Sequence, residues 1–118
     1  MAIPSGSGTE VIKSTQLQGV STTATDIITA VSNHIYIVVS IIITEAANQS
    51  GKDFFIGLFD SDGTSNETIV KLWTNIGSQQ TFVWNDRFSF TGNKKLRVKS
   101  NPAADLDVIC TYIDQDWS

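Results

Sequence analysis

Along most of the chain, apolar residues recur at every second position or in short unbroken runs, and no stretch keeps helical spacing over three turns. Alternation and short β-branched runs bounded by turn residues read as strands. About eight strand-like runs stand out: 10–17, 25–31, 34–44, 53–59, 68–73, 80–85, 87–90 with 94–99 beyond the turn TGN, and 107–113. Gly, Asn, Asp and Ser cluster between them, as in EAANQSG, DSDG and TGN. This spacing predicts an all-β antiparallel sandwich, jelly-roll-like, with about eight strands.

Composition supports the same class. Ile, Val and Thr number 14, 9 and 13 in 118 residues, whereas Leu, Ala and Met total 13. β-branched side chains lose rotamer freedom in helices and pack well on a pleated sheet. The length fits one domain with its own core. Residues 1–8, MAIPSGSG, have the Gly, Ser and Pro content of an extended arm, and 9–118 form the sandwich.

Several runs are apolar on both faces. Ile35, Ile37, Val39, Ile41 and Ile43 fall on one side of the third run, with Tyr36, Val38 and Ile42 on the other. In 53–59, Phe54, Ile56 and Leu58 oppose Phe55, Gly57 and Phe59. A small sandwich wants one polar face per strand. Large apolar patches are unusual on monomers, so a subunit interface is expected at Tyr36, Val38, Ile42, Phe55 and Phe59.

The net charge is −4, a poor basis for wrapping nucleic acid. Four of the eight basic residues fall in 94–99. Alternation places Lys95, Arg97 and Lys99 outward and Leu96 and Val98 inward. The run has no interleaved aromatic for base stacking, so the expected partner is acidic, such as Asp114 and Asp116 of another copy. Trp117 sits one residue from the end, and leaving it in water forgoes about 2 kcal/mol of burial, so a docked tail is expected.

Candidate chemistry is sparse. His34 is the single histidine and reads as a turn residue ahead of a strand. Cys110, the single cysteine, lies mid-strand and reads as a small buried hydrophobe. Asp60, Asp62, Asn66 and Glu67 gather oxygens in FDSDGTSNE, but Asp-Gly is a tight-turn dipeptide and the spacing is not that of a calcium loop. Asp105 with Asp107 and Asp114 with Asp116 flank a terminal strand rather than a cleft. No catalytic residue, metal or cofactor is expected. No apolar stretch is long enough for a membrane helix, and no secretory leader is read at the start, so no membrane partner is expected.

The start MAIPSGSGTEVIK, the middle FVWNDRF and the end VICTYIDQDWS resemble small virion proteins of tailed bacteriophages of aquatic hosts. The resemblance implies a jelly-roll decoration (cement) protein, commonly a homotrimer, on the capsid surface of a virion assembled in the host cytoplasm. It also implies an N-terminal arm, here with Ile3, Pro4 and Ser5, that reaches the major capsid protein. A receptor- or glycan-binding module of a head or tail fibre is the alternative, with Trp117 and the loops EAANQSG and DSDGTSNE as its site.

Overall fold

The computed structural model describes residues 9–46, 52–60, 67–77, 79–92, 94–101 and 103–117, with 67–74 as backbone. Among these residues nine strands occur, and no helix. They are β1 (Thr9–Val20), β2 (Thr25–Thr29), β3 (His34–Glu45), β4 (Lys52–Asp60), β5 (Glu67–Ile76), β6 (Thr81–Trp84), β7 (Phe88–Thr91), β8 (Lys94–Asn101) and β9 (Leu106–Asp116).

The strands form two antiparallel sheets. One runs β1-β9-β3-β6, with β7 also on β3, and the other runs β2-β8-β4-β5. The first strand lies against the last and the second against the last but one, which is the wrapping of a jelly roll. The residues beyond β6 part company at TGN: β7 stays on β3 whereas β8 crosses to the other sheet between β2 and β4. Close packing at this crossing needs Gly92, where a Cβ would meet Ser32 Cα and Val31 O, both at 3.0 Å.

The core lies between the sheets. Tyr36, Val38, Ile41, Ile43, Leu106, Val108 and Cys110 fill it from one side, and Phe54, Ile56, Leu96 and Val98 from the other. Leu96 and Val98 are fully buried, as alternation requires. Each such aliphatic or Phe side chain contributes about 1.5–3 kcal/mol relative to exposure.

A β-bulge in β3 decides which residues reach this core. Against β9 the register shifts between Val38 and Ser40. A bulge adds one residue and reverses the alternation beyond it. Inward positions are therefore Tyr36 and Val38 before it, and Ile41, Ile43 and Glu45 after it. On the other side of β3 the partner strand is interrupted at the same level: β6 pairs with Ile41–Thr44 and β7 with Ile35–Val38. The apparently two-faced run is a one-faced strand with its parity switched midway.

Candidate functional site

The outer face of the five-stranded sheet follows from the ladder registers. One row runs Ile12–Ile113–Ile37–Ser89 and another Gln16–Ile109–Ile42–Val83, with Ser14–Thr111–Ser40 between them. Ile12 is 76% exposed, Val83 49% and Ile109 44%. Six Ile and Val side chains thus share the outer surface of this sheet. Glu10 marks one end, joined to Gln115 at 2.6 Å, and Asp107 the other. None of these ladder positions holds a cation, and the exposed Arg87 stands in the link between β6 and β7.

The outer face of the four-stranded sheet carries charges of both signs, with Lys95, Arg97 and Lys99 on β8 and Asp26 and Asp53 on the strands beside it. Register places Phe55 opposite Lys99, Gly57 opposite Arg97 and Phe59 opposite Lys95. The Arg97 guanidinium stands 5.3 Å from the Phe59 ring centre, and Lys99 Nζ 5.4 Å from that of Phe55. Cations over aromatic faces are attracted by the ring quadrupole, and their stems cover apolar surface. Arg97 Nε also meets Asp26 Oδ1 at 2.6 Å. Burial pushes the Asp26 carboxyl up, but hydrogen bonds from Arg97 and Thr29 and the charges of Arg97 and Lys95 outweigh it and leave it below its ordinary value. The aromatics that the β8 sequence lacks are supplied by β4, a neighbour that only the fold reveals.

A third feature sits where the N-terminal edge strand meets the last strand. The Asp114 side chain is 6% exposed, with Oδ2 2.8 Å from Lys13 Nζ and Oδ1 2.7 Å from His34 Nδ1. The other ring nitrogen of His34 lies 3.3 Å from Asp116 Oδ1. Burial pushes the Asp114 carboxyl up, yet the hydrogen bonds and charges of Lys13 and His34 hold it below the usual carboxylate value. Lys13 is raised in turn by its hydrogen bond to Asp114. The cluster ties β1, β3 and β9 together.

These placements revise several sequence expectations. Tyr36 and Val38 are 3% and 0% exposed within the chain's own core, so they cannot line a subunit interface. Phe55 is 3% exposed and lies on the opposite sheet from Ile42, so the five residues expected at one interface do not share a surface. Ile42 and Phe59 are half-buried on the outer faces of their respective sheets. Asp114 is spent on Lys13 and His34 and its side chain is only 6% exposed, so it is not displayed for the basic strand of another copy, whereas Asp116, 3.3 Å from His34, keeps 45% of its side chain exposed. Lys95, Arg97 and Lys99 do share the outer face of β8.

Trp117 is half-buried against its own domain, with its backbone N–H donating to Asn33 O at 2.9 Å and Nε1 to Gln115 Oε1 at 3.4 Å. Cys110 is fully buried, and desolvation pushes its thiol up to about 12. Asp60 pairs with Lys94 at 2.6 Å. Ile3, Pro4 and Ser5, and the loop residues Asp62 and Asn66, lie outside the described residues. His34 and Lys13 were missed as a unit, because their common partner is 80 and 101 positions away.

No family model matches the chain, and no curated protein matches it. A solved structure does. A chain of the disulfide-linked pili that form Bacillus endospore appendages superimposes with a TM-score of 0.52, covering 100% of this chain and 97% of that one at 18% identity. At this identity the likeness establishes the fold, a small all-β sandwich, and nothing beyond it.

Proposed function

We propose that the chain is a non-enzymatic structural subunit of a larger protein shell, of the capsid-decoration type found on tailed bacteriophages. The observation that carries this reading is the outer face of the five-stranded sheet, where Ile12, Ile109 and Val83 stand exposed on a surface continuous with Ile37, Ile42 and Ile113. Surfaces of this kind mark sites that another protein covers. The resemblance of the chain's start, middle and end to phage virion proteins supports the same class. So does the fold likeness to a pilus chain, another sandwich that belongs to an assembly. Disulfide linkage does not carry over, since the single Cys110 is buried.

A decoration protein acts without bond chemistry. It binds the assembled shell and not its dissociated parts, and so stabilises the shell by mass action. The homotrimer, the major capsid protein as partner and the capsid-surface location belong to this proposal.

The test is co-sedimentation of the purified protein with phage heads that lack it. Saturable binding in fixed proportion to the shell subunits, with heads that then withstand more heat, supports the reading. Binding to host cells or glycans, with none to heads, favours the fibre-module alternative instead.

A further inference from the structure

We propose that His34 is a proton-operated latch. Protonated at both ring nitrogens, it fastens Asp116 and the end of β9 to the start of β3; neutral, it lets that end go. The inference does not rest on the assembly reading above.

The geometry fixes one ring nitrogen and leaves the other variable. Nδ1 stands 2.7 Å from Asp114 Oδ1, and the second oxygen of that carboxylate accepts from Lys13 at 2.8 Å. Asp114 is ionised, held below its ordinary value despite its burial, so both of its oxygens accept. Nδ1 therefore carries a hydrogen in the neutral ring as well as in the charged one. The variable position is Nε2, 3.3 Å from Asp116 Oδ1. A carboxylate only accepts. This contact is a charge-assisted hydrogen bond when Nε2 carries a proton, and sets a lone pair against a negative oxygen when it does not. The two partners differ in freedom. The His34 side chain is 16% exposed and its ring stacks on Tyr36 with 5.9 Å between centres, whereas Asp116 is 45% exposed and has room to turn to water.

The surrounding charges point the same way. On this side of the sheet β1 brings Lys13, β3 brings Tyr36 beside His34, and β9 brings Asp114, Asp116 and Tyr112, whereas β7 brings Phe88 and Phe90. The turn at 30–33, whose Val31 N–H donates to the Tyr36 hydroxyl, holds no ionisable side chain. Next to it, Lys94 takes the Ala30 N–H on its carbonyl and is itself paired with Asp60 at 2.6 Å. Burial raises the Tyr36 phenol, and the hydrogen bond to Asp114 raises Lys13, so both keep their protons through neutral pH. Around the ring one cation thus faces two carboxylates, and only the imidazolium balances them.

What the latch holds is the end of β9. Asp116 lies in the row Thr9–Asp116–His34, between the first residue of β1 and the first of β3. The next residue, Trp117, is tied to the turn before β3 by its backbone N–H on Asn33 O at 2.9 Å. Opening the latch removes the side-chain tie beside that backbone bond, and Trp117 gains motion.

NMR of Trp117 tests this between about pH 5.5 and about pH 8, the range in which imidazoles change charge and which lies above that of ordinary carboxylates. In the wild type the Trp117 amide should be rigid at the lower pH. Its heteronuclear NOE should fall as the pH rises, with the midpoint shown by the His34 ring protons. Asp116→Asn changes an exposed position and offers a donor as well as an acceptor, so it serves either form of the ring. There the NOE should no longer depend on pH while His34 still titrates, and unchanged thermal unfolding verifies that the variant folds. A wild-type Trp117 amide that stays equally rigid while His34 titrates overturns the latch. So does an NOE change that persists undiminished in Asp116→Asn.

Discussion

Lys13 Nζ lies 2.8 Å from Asp114 Oδ2, so a residue on the N-terminal edge strand neutralises a carboxylate that the C-terminal strand buries. His34 takes the other oxygen at 2.7 Å. Replacing Asp114 with Ala removes both charged hydrogen bonds. The expected cost is about 1.5–3 kcal/mol, measured as a fall in the urea midpoint at pH 7. An unchanged midpoint would show that the cluster contributes nothing.

The same carboxylate sets a pH dependence. Its folded pKa is held below the ordinary value of 3.8. The unfolded chain therefore takes up the proton first as pH falls. The stabilisation is present above the ordinary carboxylate range and is lost as pH drops through it towards the folded value. Asp114→Asn should flatten this acid limb when urea midpoints are compared between pH 6 and pH 2. At the alkaline end, Lys13 is raised above 10.5, so its contribution is present below that value and fades as pH climbs through the folded one.

Cys110 is fully buried, and its thiol is pushed up to about 12 by desolvation. The thiolate is the reactive form, so native protein at pH 8 should be inert to a thiol-specific reagent on the timescale in which urea-unfolded protein reacts completely. Rapid labelling of the native chain would contradict the buried placement.

Gly92 approaches the backbone of residues 31 and 32 too closely for a side chain. Gly92→Ala should push β7 and the β2–β3 turn apart and destabilise by about 1–3 kcal/mol, the range for overpacking. Thermal unfolding checks it, with a conservative exposed substitution such as Ile12→Val as a control expected within about 0.5 kcal/mol of wild type.

The interior and the outer face should respond differently to a charge. Val38→Asp places an unpaired carboxylate at a fully buried site and should prevent folding. Ile109→Asp alters a residue that is 44% exposed and should leave the domain folded while weakening self-association. Circular dichroism and light scattering separate the two outcomes.

The all-β class, the strand runs and the inward aim of Leu96 and Val98 were legible in the sequence alone, because β-branched content and period-two alternation are local properties of a pleated chain. The burial of Cys110 was legible for the same reason. What alternation could not carry was parity across a bulge. One extra residue between Val38 and Ser40 turns Tyr36 and Val38 inward with Ile41 and Ile43, and leaves Ile37 and Ile42 together outside. Nor does a local pattern say which strand lies beside which. The pairing of β4 with β8 roofs Phe55 and Phe59 with Lys99 and Arg97, and the pairing of β1 with β9 spends Asp114 on Lys13. These contacts join residues tens of positions apart. They exist only because closing the sandwich makes distant strands neighbours, so the characters of its two outer faces were settled by tertiary structure.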